Sequence, residues 1–338
     1  MTSTGPDSAL RSTGLVAGKF DPPHRGHALL IDTARARCDR LIVLLFDYEG
    51  QTVAPDLRAQ WLREIHPALD VRIFSTFNYP RITPEDAARE AARVREFLGE
   101  PVHLLFTSED YGEMLAAQLG ARHFNVDRER ALVPISGTMV RRAPAAMLDW
   151  LEPPVRAHYV PRVCVVGSES TGKSTLCARL AEHYATAWVP EYGREYSLEK
   201  LRNGLQGQWV DDEFVHIAFE QQRREDDAAR YANRVLICDT DALAASVWSE
   251  RYLDRVPTRW PLPPSRIACY LVPYPDVPFV ADAIRDGEHK RYWMYERLIA
   301  LFTQLGRPFT VLRGTYEERG AQAIALIDAL LASEVKRP

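Results

Sequence analysis

Residues 18–27 read GKFDPPHRGH and lie between a strand-like run, Leu15–Gly18, and a helix-like run, Ala28–Cys38. The pattern therefore occupies a strand-to-helix turn, where backbone N–H groups and the positive end of the helix dipole favour an anion. His24 and His27 are three residues apart, so both can face the same phosphate chain. The stretch predicts a nucleotide-phosphate site, to which we also assign Gly18, Lys19, Phe20 and Gly26.

A second polar cluster, ISGTMVRR at residues 135–142, follows later in the same half. Ser136 and Thr138 suit a helix N-terminus, where their hydroxyls can contact phosphate oxygens. Arg141 follows one turn along and can point at the same anion. When a phosphate is the acceptor in adenylyl transfer, the reaction needs alignment and charge stabilisation more than a strong base. The predicted catalytic residues of this half are His24, His27 and Arg141.

The second half has its own phosphate motif, GSESTGKS at residues 167–174. It fits G-x-x-x-x-G-K-[ST], in which backbone amides surround the β-phosphate. Lys173 would bridge the β- and γ-phosphates and act as a catalytic residue, and Ser174 would hold Mg²⁺. The predicted ATP contacts are Gly167, Ser170, Thr171, Gly172, Ser174 and Thr175.

Acidic residues that could complete this site follow two further apolar runs. Asp239 ends the predicted strand Val235–Asp239, where it could orient Mg²⁺ through water or accept the proton of an attacking hydroxyl. Asp241 fits a substrate contact and a helix cap equally well. After the short run Ala187–Val189, a further group is predicted to face the acceptor: Glu191, Tyr192 and Arg194.

A charged segment, Asp282–Arg291, could form a lid over the transferred phosphate. We assign Arg285 to substrate binding, with Arg291 as the alternative. A charged run is also typical of a solvated helix face, and the sequence does not decide between the two.

Outward from the motifs, apolar runs alternate with helical patterns, which predicts parallel sheets built from βαβ units. The predicted strands of the first half are Leu15–Gly18, Leu41–Phe46, Val71–Phe74 and Val102–Thr107, and its helices are Ala28–Cys38, Leu57–Ile65 and Pro84–Leu98. The pattern restarts with a strand at Arg162–Val166 and a helix at Lys173–Tyr184. We predict an α/β fold with two parallel-sheet domains, a Rossmann-like nucleotidyltransferase (14–150) and a P-loop kinase (160–335), divided near residue 155 by a proline-rich connector, Pro144–Pro161.

Composition excludes several other classes of protein. The 338 residues carry a net charge of -4, which argues against a nucleic-acid partner. No apolar run is long enough to insert into a membrane, and the polar start, Met1–Thr13, reads as a disordered leader. The five cysteines are scattered, as expected in a reducing cytosol. We therefore expect a cytoplasmic enzyme, and the sequence leaves a homo-oligomer open.

These motifs together resemble the bifunctional NadR-type proteins, in which an NMN adenylyltransferase precedes a ribosylnicotinamide kinase. The resemblance covers about residues 14 to 330. It implies that ATP and Mg²⁺ are used, that nicotinamide riboside and NMN are the substrates, and that Ser108–Gly112 lies near the adenylyl site. It also implies that Glu191 and Asp239 face the riboside. Only about a dozen residues precede the first strand, so we expect no DNA-binding helix-turn-helix of the kind that some NadR proteins carry.

Two alternatives stay open at this point. The same architecture could act on another vitamin riboside, for instance as riboflavin kinase with FMN adenylyltransferase, although a P-loop is not expected in riboflavin kinases. The chain could instead be a nucleotide-sensing regulator with one weak or inactive module, although the intact His24, His27 and Lys173 argue against this. The sequence does not decide between amide and acid substrates, or whether the intermediate passes between the two sites.

Overall fold

The computed structural model describes residues 12–77, 83–205, 207–260, 266–282 and 287–334. The chain divides into two compact units. Unit 1 comprises Met1–Arg142 and Asp149–Val155, and unit 2 comprises Ala143–Leu148 and Arg156–Pro338. None of the helices in the described part is long and apolar enough to span a bilayer.

Unit 1 is built around a five-stranded parallel sheet. Its strands are β1 (Thr13–Gly18), β2 (Arg40–Asp47), β3 (Asp70–Ser75), β4 (Leu104–Thr107) and β5 (Arg122–Asn125). Its helices are α1 (Arg25–Arg35), α2 (Pro55–Ile65), α3 (Pro84–Leu98), α4 (Gly112–Leu119) and the short α5 (Gly137–Arg142). The strand order is β3-β2-β1-β4-β5, so the chain reverses direction across the sheet between β1 and β4. In open parallel sheets, this switch point is where a ligand crevice forms.

The core of unit 1 lies on both faces of β1, because alternate residues of a strand point to opposite faces. Leu15 packs in one apolar cluster and Val16 in the other, and both side chains are fully buried. Such a two-sided core requires helices on each face of the sheet, as α1 and α3 provide. The strand ends, the loops after them and the adjoining helix ends remain to line a site.

Unit 2 repeats this architecture with the strand order β10-β9-β6-β8-β7. Its strands are β6 (Arg162–Val165), β7 (Trp188–Val189), β8 (Leu236–Asp239), β9 (Ile267–Pro273) and β10 (Phe309–Leu312). Its helices are α6 (Pro153–Tyr159), α7 (Lys173–Tyr184), α8 (Tyr192–Arg202), α9 (Asp211–Ala229), α10 (Ala242–Leu253), α11 (Arg291–Gln304) and α12 (Tyr316–Glu334). Helix α6 begins in the segment that is assigned to unit 1. The register pairs Val165 with Asp239, so the strand that enters the P-loop ends beside this carboxylate.

The predicted fold of two parallel-sheet α/β domains is confirmed. Helices α3 and α7 begin and end at the predicted residues. Helix α1 begins at Arg25, three residues earlier than predicted, because His24 serves as its N-cap. Strands β5, β9 and β10 were not predicted from the sequence, and the predicted connector contains a 3-10 turn, Leu148–Trp150.

Candidate active sites

The first candidate site is a cavity of about 840 Å³ beyond the carboxyl ends of β1 and β4. The resemblance places the stretch Ser108–Gly112 near the adenylyl site, and residues 108–111 of this stretch line the cavity. The structure thus brings together in one cavity all nine residues that the sequence analysis assigned to this half: Gly18, Lys19, Phe20, His24, Gly26, His27, Ser136, Thr138 and Arg141.

The two histidines form a stacked pair in this cavity, with ring centroids 3.8 Å apart. The backbone N–H of His24 donates to Nδ1 of His27 at 3.3 Å. Burial, together with the positive charge of Arg130, lowers the pKa of His24 to about 3. The pKa of His27 also lies well below its ordinary value, because of burial and the neighbouring His24 and Arg130. Both imidazoles are therefore neutral at pH 7 and can contribute hydrogen bonds but not charge.

Arg141 joins the two sequence motifs of unit 1. Its guanidinium donates to the backbone carbonyl of Asp21 and, at 3.2 Å, to the hydroxyl of Thr138. A Cβ at Gly137 would lie 2.8 Å from that same Asp21 carbonyl oxygen, so only glycine permits the close approach of the two segments. The buried Asp21 carboxylate in turn accepts from the backbone and the hydroxyl of Thr52. This network fixes the first motif against α5.

The structure adds two arginines that the sequence analysis missed. Arg130 lines the cavity in a left-handed backbone conformation (φ 51°), with Glu109 3.5 Å away as an ion-pair partner. Arg58 of α2 is fully buried and donates to the carbonyls of Lys19 and Phe46. A signal for Arg58 was present, because it falls on the apolar face of its helix beside Ala59 and Leu62. Arg130 has no local motif of its own.

The second candidate site is the P-loop of unit 2. Lys173 is buried, and its Nζ donates to the carbonyl of Ser168 at 3.0 Å. The Ser174 hydroxyl donates to the Asp239 carboxylate at 2.6 Å, so the two predicted metal ligands are brought together. A hydroxyl beside one carboxylate is a donor set that suits Mg²⁺, which usually keeps several waters and binds through substrate phosphates. Within the described ranges, no group of three His, Cys, Asp or Glu side chains offers an all-protein metal site.

Side chains from the rest of unit 2 hold the P-loop from behind. Arg319 of α12 is buried and donates to the carbonyl of Thr171 at 2.9 Å. Arg291, considered above as a lid residue, instead donates to the carbonyls of Ser170 and Val277. The buried Glu169 accepts from Arg251 at 2.6 Å. These contacts fix the carbonyls of the loop, so that its N–H groups can point towards a phosphate.

A cavity of about 250 Å³ adjoins the P-loop. Glu191 and Arg194, two of the predicted substrate contacts, line it. Burial raises the pKa of Glu191, and the nearby charge of Lys173 opposes that shift. The aromatic wall of this cavity was not predicted from the sequence; its five rings are Trp209, Phe214, Trp248, Tyr252 and Tyr316. Trp209 contacts Phe214 and Tyr252 with ring centroids 4.8 and 5.3 Å apart.

Two other predicted substrate contacts, Asp241 and Tyr192, do not line this cavity. Asp241 caps α10 by accepting from the Ala244 N–H, and its second oxygen accepts from the Tyr270 hydroxyl. The structure therefore favours the capping alternative for Asp241. The Tyr192 hydroxyl pairs with His216 on the surface of α8 and α9, away from the cavity lining. Arg285 lies outside the described residues, as do Ala283, Ile284 and Asp286.

The fold and the two phosphate sites define a nucleotide-binding protein with a nucleotidyltransferase-like unit followed by a P-loop unit. Two family models match consecutive parts of the chain. A cytidylyltransferase-like model matches residues 15–143, and an AAA-domain model matches residues 162–319. The order of the two matches agrees with the order of the two motifs in the sequence.

The particular proteins that this chain resembles are NadR proteins. It is 29% identical over 265 residues to the trifunctional NAD biosynthesis/regulator protein NadR of Escherichia coli (strain K12), a match that covers 72% of this chain and 64% of the relative. The NadR protein of Salmonella typhimurium (strain LT2) is 28% identical over 264 residues, with the same coverage. The match thus spans less than two thirds of the length of these curated relatives.

Two solved NadR structures share the fold. One, in complex with NR, has a TM-score of 0.73 at 20% identity and covers 97% of this chain and 98% of its own. The other, in complex with NAD and AMP-PNP, has a TM-score of 0.71 at 21% identity and covers 97% of both chains. The resemblance to NadR-type proteins that the sequence predicts is confirmed by these matches.

Proposed function

We propose that this protein is a bifunctional transferase of NAD salvage. Unit 2, predicted from sequence as residues 160–335, phosphorylates nicotinamide riboside with ATP to give NMN. Unit 1, predicted as residues 14–150, transfers the adenylyl group of a second ATP to NMN, which gives NAD and pyrophosphate. The matches to NadR proteins named for NAD biosynthesis support this reading.

The aromatic wall beside the P-loop carries the proposal for the kinase step. Five aromatic rings and the Glu191 carboxyl line one small cavity next to Lys173. The nicotinamide ring of the riboside is a cation, and a cation over aromatic faces is stabilised by about 0.5–2 kcal/mol. A carboxylate in the same cavity can accept hydrogen bonds from ribose hydroxyls. A cationic nicotinamide riboside therefore fits this cavity better than a neutral vitamin riboside does.

In this kinase step, the 5′-hydroxyl oxygen of the riboside attacks the γ-phosphorus of ATP. The bond from that phosphorus to the β–γ bridging oxygen breaks, ADP leaves, and the hydroxyl proton is released to a carboxylate or to water. Lys173 would hold the β- and γ-phosphates, and Mg²⁺ held by Ser174 and Asp239 would neutralise charge between them. Glu191 would orient the ribose.

In the adenylyl step, a phosphate oxygen of NMN attacks the α-phosphorus of ATP, and pyrophosphate leaves. No strong base is needed, since the attacking phosphate is already ionised. The neutral His24 and His27 would donate hydrogen bonds to the phosphate chain. The positive charge that stabilises the transition state would come from Lys19, Arg130 and Arg141. Neutral imidazoles suit this division of roles because they stay uncharged across the physiological pH range.

Product analysis by chromatography tests the proposal directly. The protein is incubated with nicotinamide riboside, ATP and Mg²⁺, and we expect NMN first and NAD second. Accumulation of NMN alone would assign unit 1 to a slow or regulatory role. Conversion of added NMN to NAD, without phosphorylation of the riboside, would show that the kinase acceptor is wrong. Conversion of neither compound would refute the NAD assignment. A cytosolic location, the absence of a nucleic-acid partner and the oligomeric state stay predictions.

A further inference from the structure

Gln221, on the inner face of α9, is fully buried and also lines the cavity beside the P-loop. Its side-chain oxygen accepts from the Tyr192 N–H at 3.0 Å. Its side-chain nitrogen donates to the carbonyl of Thr240 and to the Glu225 carboxyl, both at 3.3 Å. Only one orientation of the amide satisfies one donor and two acceptors, so these three contacts also fix which end of the side chain is the oxygen.

The two backbone contacts of Gln221 lie next to two carboxylates of the site, the proposed substrate contact Glu191 and the proposed metal ligand Asp239. Tyr192 is the first residue of α8 and follows Glu191, which is the N-cap of that helix. Thr240 follows Asp239 at the end of β8. One amide therefore joins the start of α8 to the end of β8, and with them the segments that present Glu191 and Asp239.

The backbone at Thr240 needs this support. Its φ of 65° lies in the left-handed region, which a β-branched residue rarely adopts. Such a conformation persists only where surrounding contacts hold it. The Thr240 N–H donates to the Val165 carbonyl at 2.9 Å, and its own carbonyl accepts from Gln221. Loss of the Gln221 contact would free one side of the turn that follows Asp239, while the Ser174 hydroxyl still holds that carboxylate.

Gln221 is held in turn by a buried acid, Glu225, which accepts a hydrogen bond from its side-chain nitrogen. Glu225 lies one turn along α9, and burial raises its pKa to about 8. Arg162 is 3.9 Å away, and a second acid, Asp226, accepts from that arginine at 2.7 Å. Glu225 and the Thr240 carbonyl thus hold the two hydrogens of the Gln221 amide, so its oxygen stays directed at α8.

We infer that Gln221 is a positioning residue of the phosphoryl-transfer site. It fixes the position of Glu191 relative to Asp239 and thereby orients the acceptor riboside. This inference rests on the proposed kinase activity of unit 2. The side chain acts through the two backbone segments that it joins, and the ATP phosphates are held by other residues. Its loss is therefore expected to impair riboside turnover while the ATP site is kept.

The test compares Gln221→Leu, which keeps the side-chain volume, with Gln222→Leu on the same helix as a matched control. For Gln221→Leu we expect kcat for riboside phosphorylation to fall by about 10- to 100-fold, since a misplacement of about 1 Å can have that effect. The affinity for AMP-PNP, measured by calorimetry, should change less than about twofold. Conversion of NMN to NAD by unit 1 of the same sample should be unchanged. Gln222→Leu should match the wild type in all three measurements.

A double-mutant cycle with Glu191→Gln separates positioning from a general structural role. Because Gln221 holds both the Glu191 segment and the turn after Asp239, adding Gln221→Leu to Glu191→Gln should lower turnover by less than it does in the wild type. If the Glu191→Gln variant has no measurable turnover, the cycle uses the affinity of each variant for the riboside instead of its turnover. Additive effects, or a loss of AMP-PNP binding equal to the loss of turnover, would overturn the inference. A wild-type protein that does not phosphorylate the riboside would instead refute the proposed function.

Discussion

The two candidate sites start from the same backbone arrangement and differ in the side chains placed on it. In each unit the central strand, β1 or β6, ends in a loop that leads into a helix N-terminus. In unit 1 this loop presents a neutral, stacked pair of imidazoles to a wide cavity of about 840 Å³. In unit 2 it presents a buried lysine and a serine–aspartate pair beside a cavity of about 250 Å³.

The different side chains and cavity sizes account for the proposed attack at the α-phosphorus of ATP in unit 1 and at the γ-phosphorus in unit 2. A helix N-terminus supplies generic anion binding, and it does not select among the phosphates of ATP. The wide cavity of unit 1 can hold two nucleotides, as attack at the α-phosphorus requires. The small, aromatic-walled cavity of unit 2 suits one riboside next to the terminal phosphate. Side chains and cavity shape, rather than the shared backbone, therefore set the chemistry.

The largest expected effect is the independent loss of each activity. Lys173→Met removes the charge on the β- and γ-phosphates, so riboside phosphorylation should fall by about 10²–10³-fold while NAD formation from NMN is unchanged. His24→Ala should give the reverse result. Separate assays with nicotinamide riboside and with NMN measure each activity. If either variant lost both activities while staying folded, the comparison of two independent sites would be wrong.

Arg130 offers a sharper test of where unit 1 obtains its positive charge. Because both imidazoles are neutral, Arg130→Ala should slow adenylyl transfer by roughly 10- to 100-fold. Arg89→Ala is the matched control, since Arg89 is exposed, lies outside the cavity lining and pairs with Asp86 at 3.3 Å on α3. Equal rates for Arg130→Ala and the control would show that Arg130 does not act on the phosphates.

The aromatic wall can be tested through the charge of the substrate. Trp248→Leu should raise KM for nicotinamide riboside by about tenfold, which corresponds to about 1.4 kcal/mol and lies within the range of one cation–π contact. The effect should be smaller for the acid riboside, which carries no net charge. Trp293→Leu serves as the control because Trp293 is 38% exposed and lies outside the cavity lining. Equal effects on the two ribosides would argue that the wall contributes shape and not charge recognition.

The smallest effect concerns the pH dependence of stability. The pKa of His24 is about 3 in the folded protein and near 6.5 when unfolded, so the unfolded chain binds more protons between these values. The free energy of unfolding should therefore fall as the pH drops from about 6.5 towards 3, by at most about 1.4 kcal/mol per pH unit for this group. Urea unfolding at pH 7 and 5 should show a smaller decrease for His24→Asn than for the exposed His183→Asn. Equal decreases would mean that His24 is not held neutral.

The contiguous part of each site could be predicted from the sequence, because a phosphate turn keeps its residues within about ten positions. That is why residues 18–27 and 167–174 were sufficient to predict the two phosphate sites, whereas the fold class was predicted from the alternation of apolar and helical runs. The aromatic wall could not be predicted, since Trp209, Phe214 and Trp248 are brought together only by the packing of α9 and α10. Arg319 donates to the carbonyl of Thr171 in the P-loop, although the two residues are 148 positions apart in the sequence. For Asp241 the sequence left a substrate contact and a helix cap equally open, and the structure shows the cap.

The path of the connector has a practical consequence for anyone who wishes to express the two halves separately. Residues 143–148 pack with unit 2, where Ala145 contacts the core, whereas residues 149–155 pack with unit 1 and include the buried Leu151 and Val155. No single cut in the chain gives both halves all of their own residues. A fragment that ends at residue 142 loses the apolar cover supplied by Leu151, and one that begins at residue 156 loses Ala145. Dissection of the two activities is therefore better done with point variants in the intact chain, or with overlapping fragments that both contain residues 143–155.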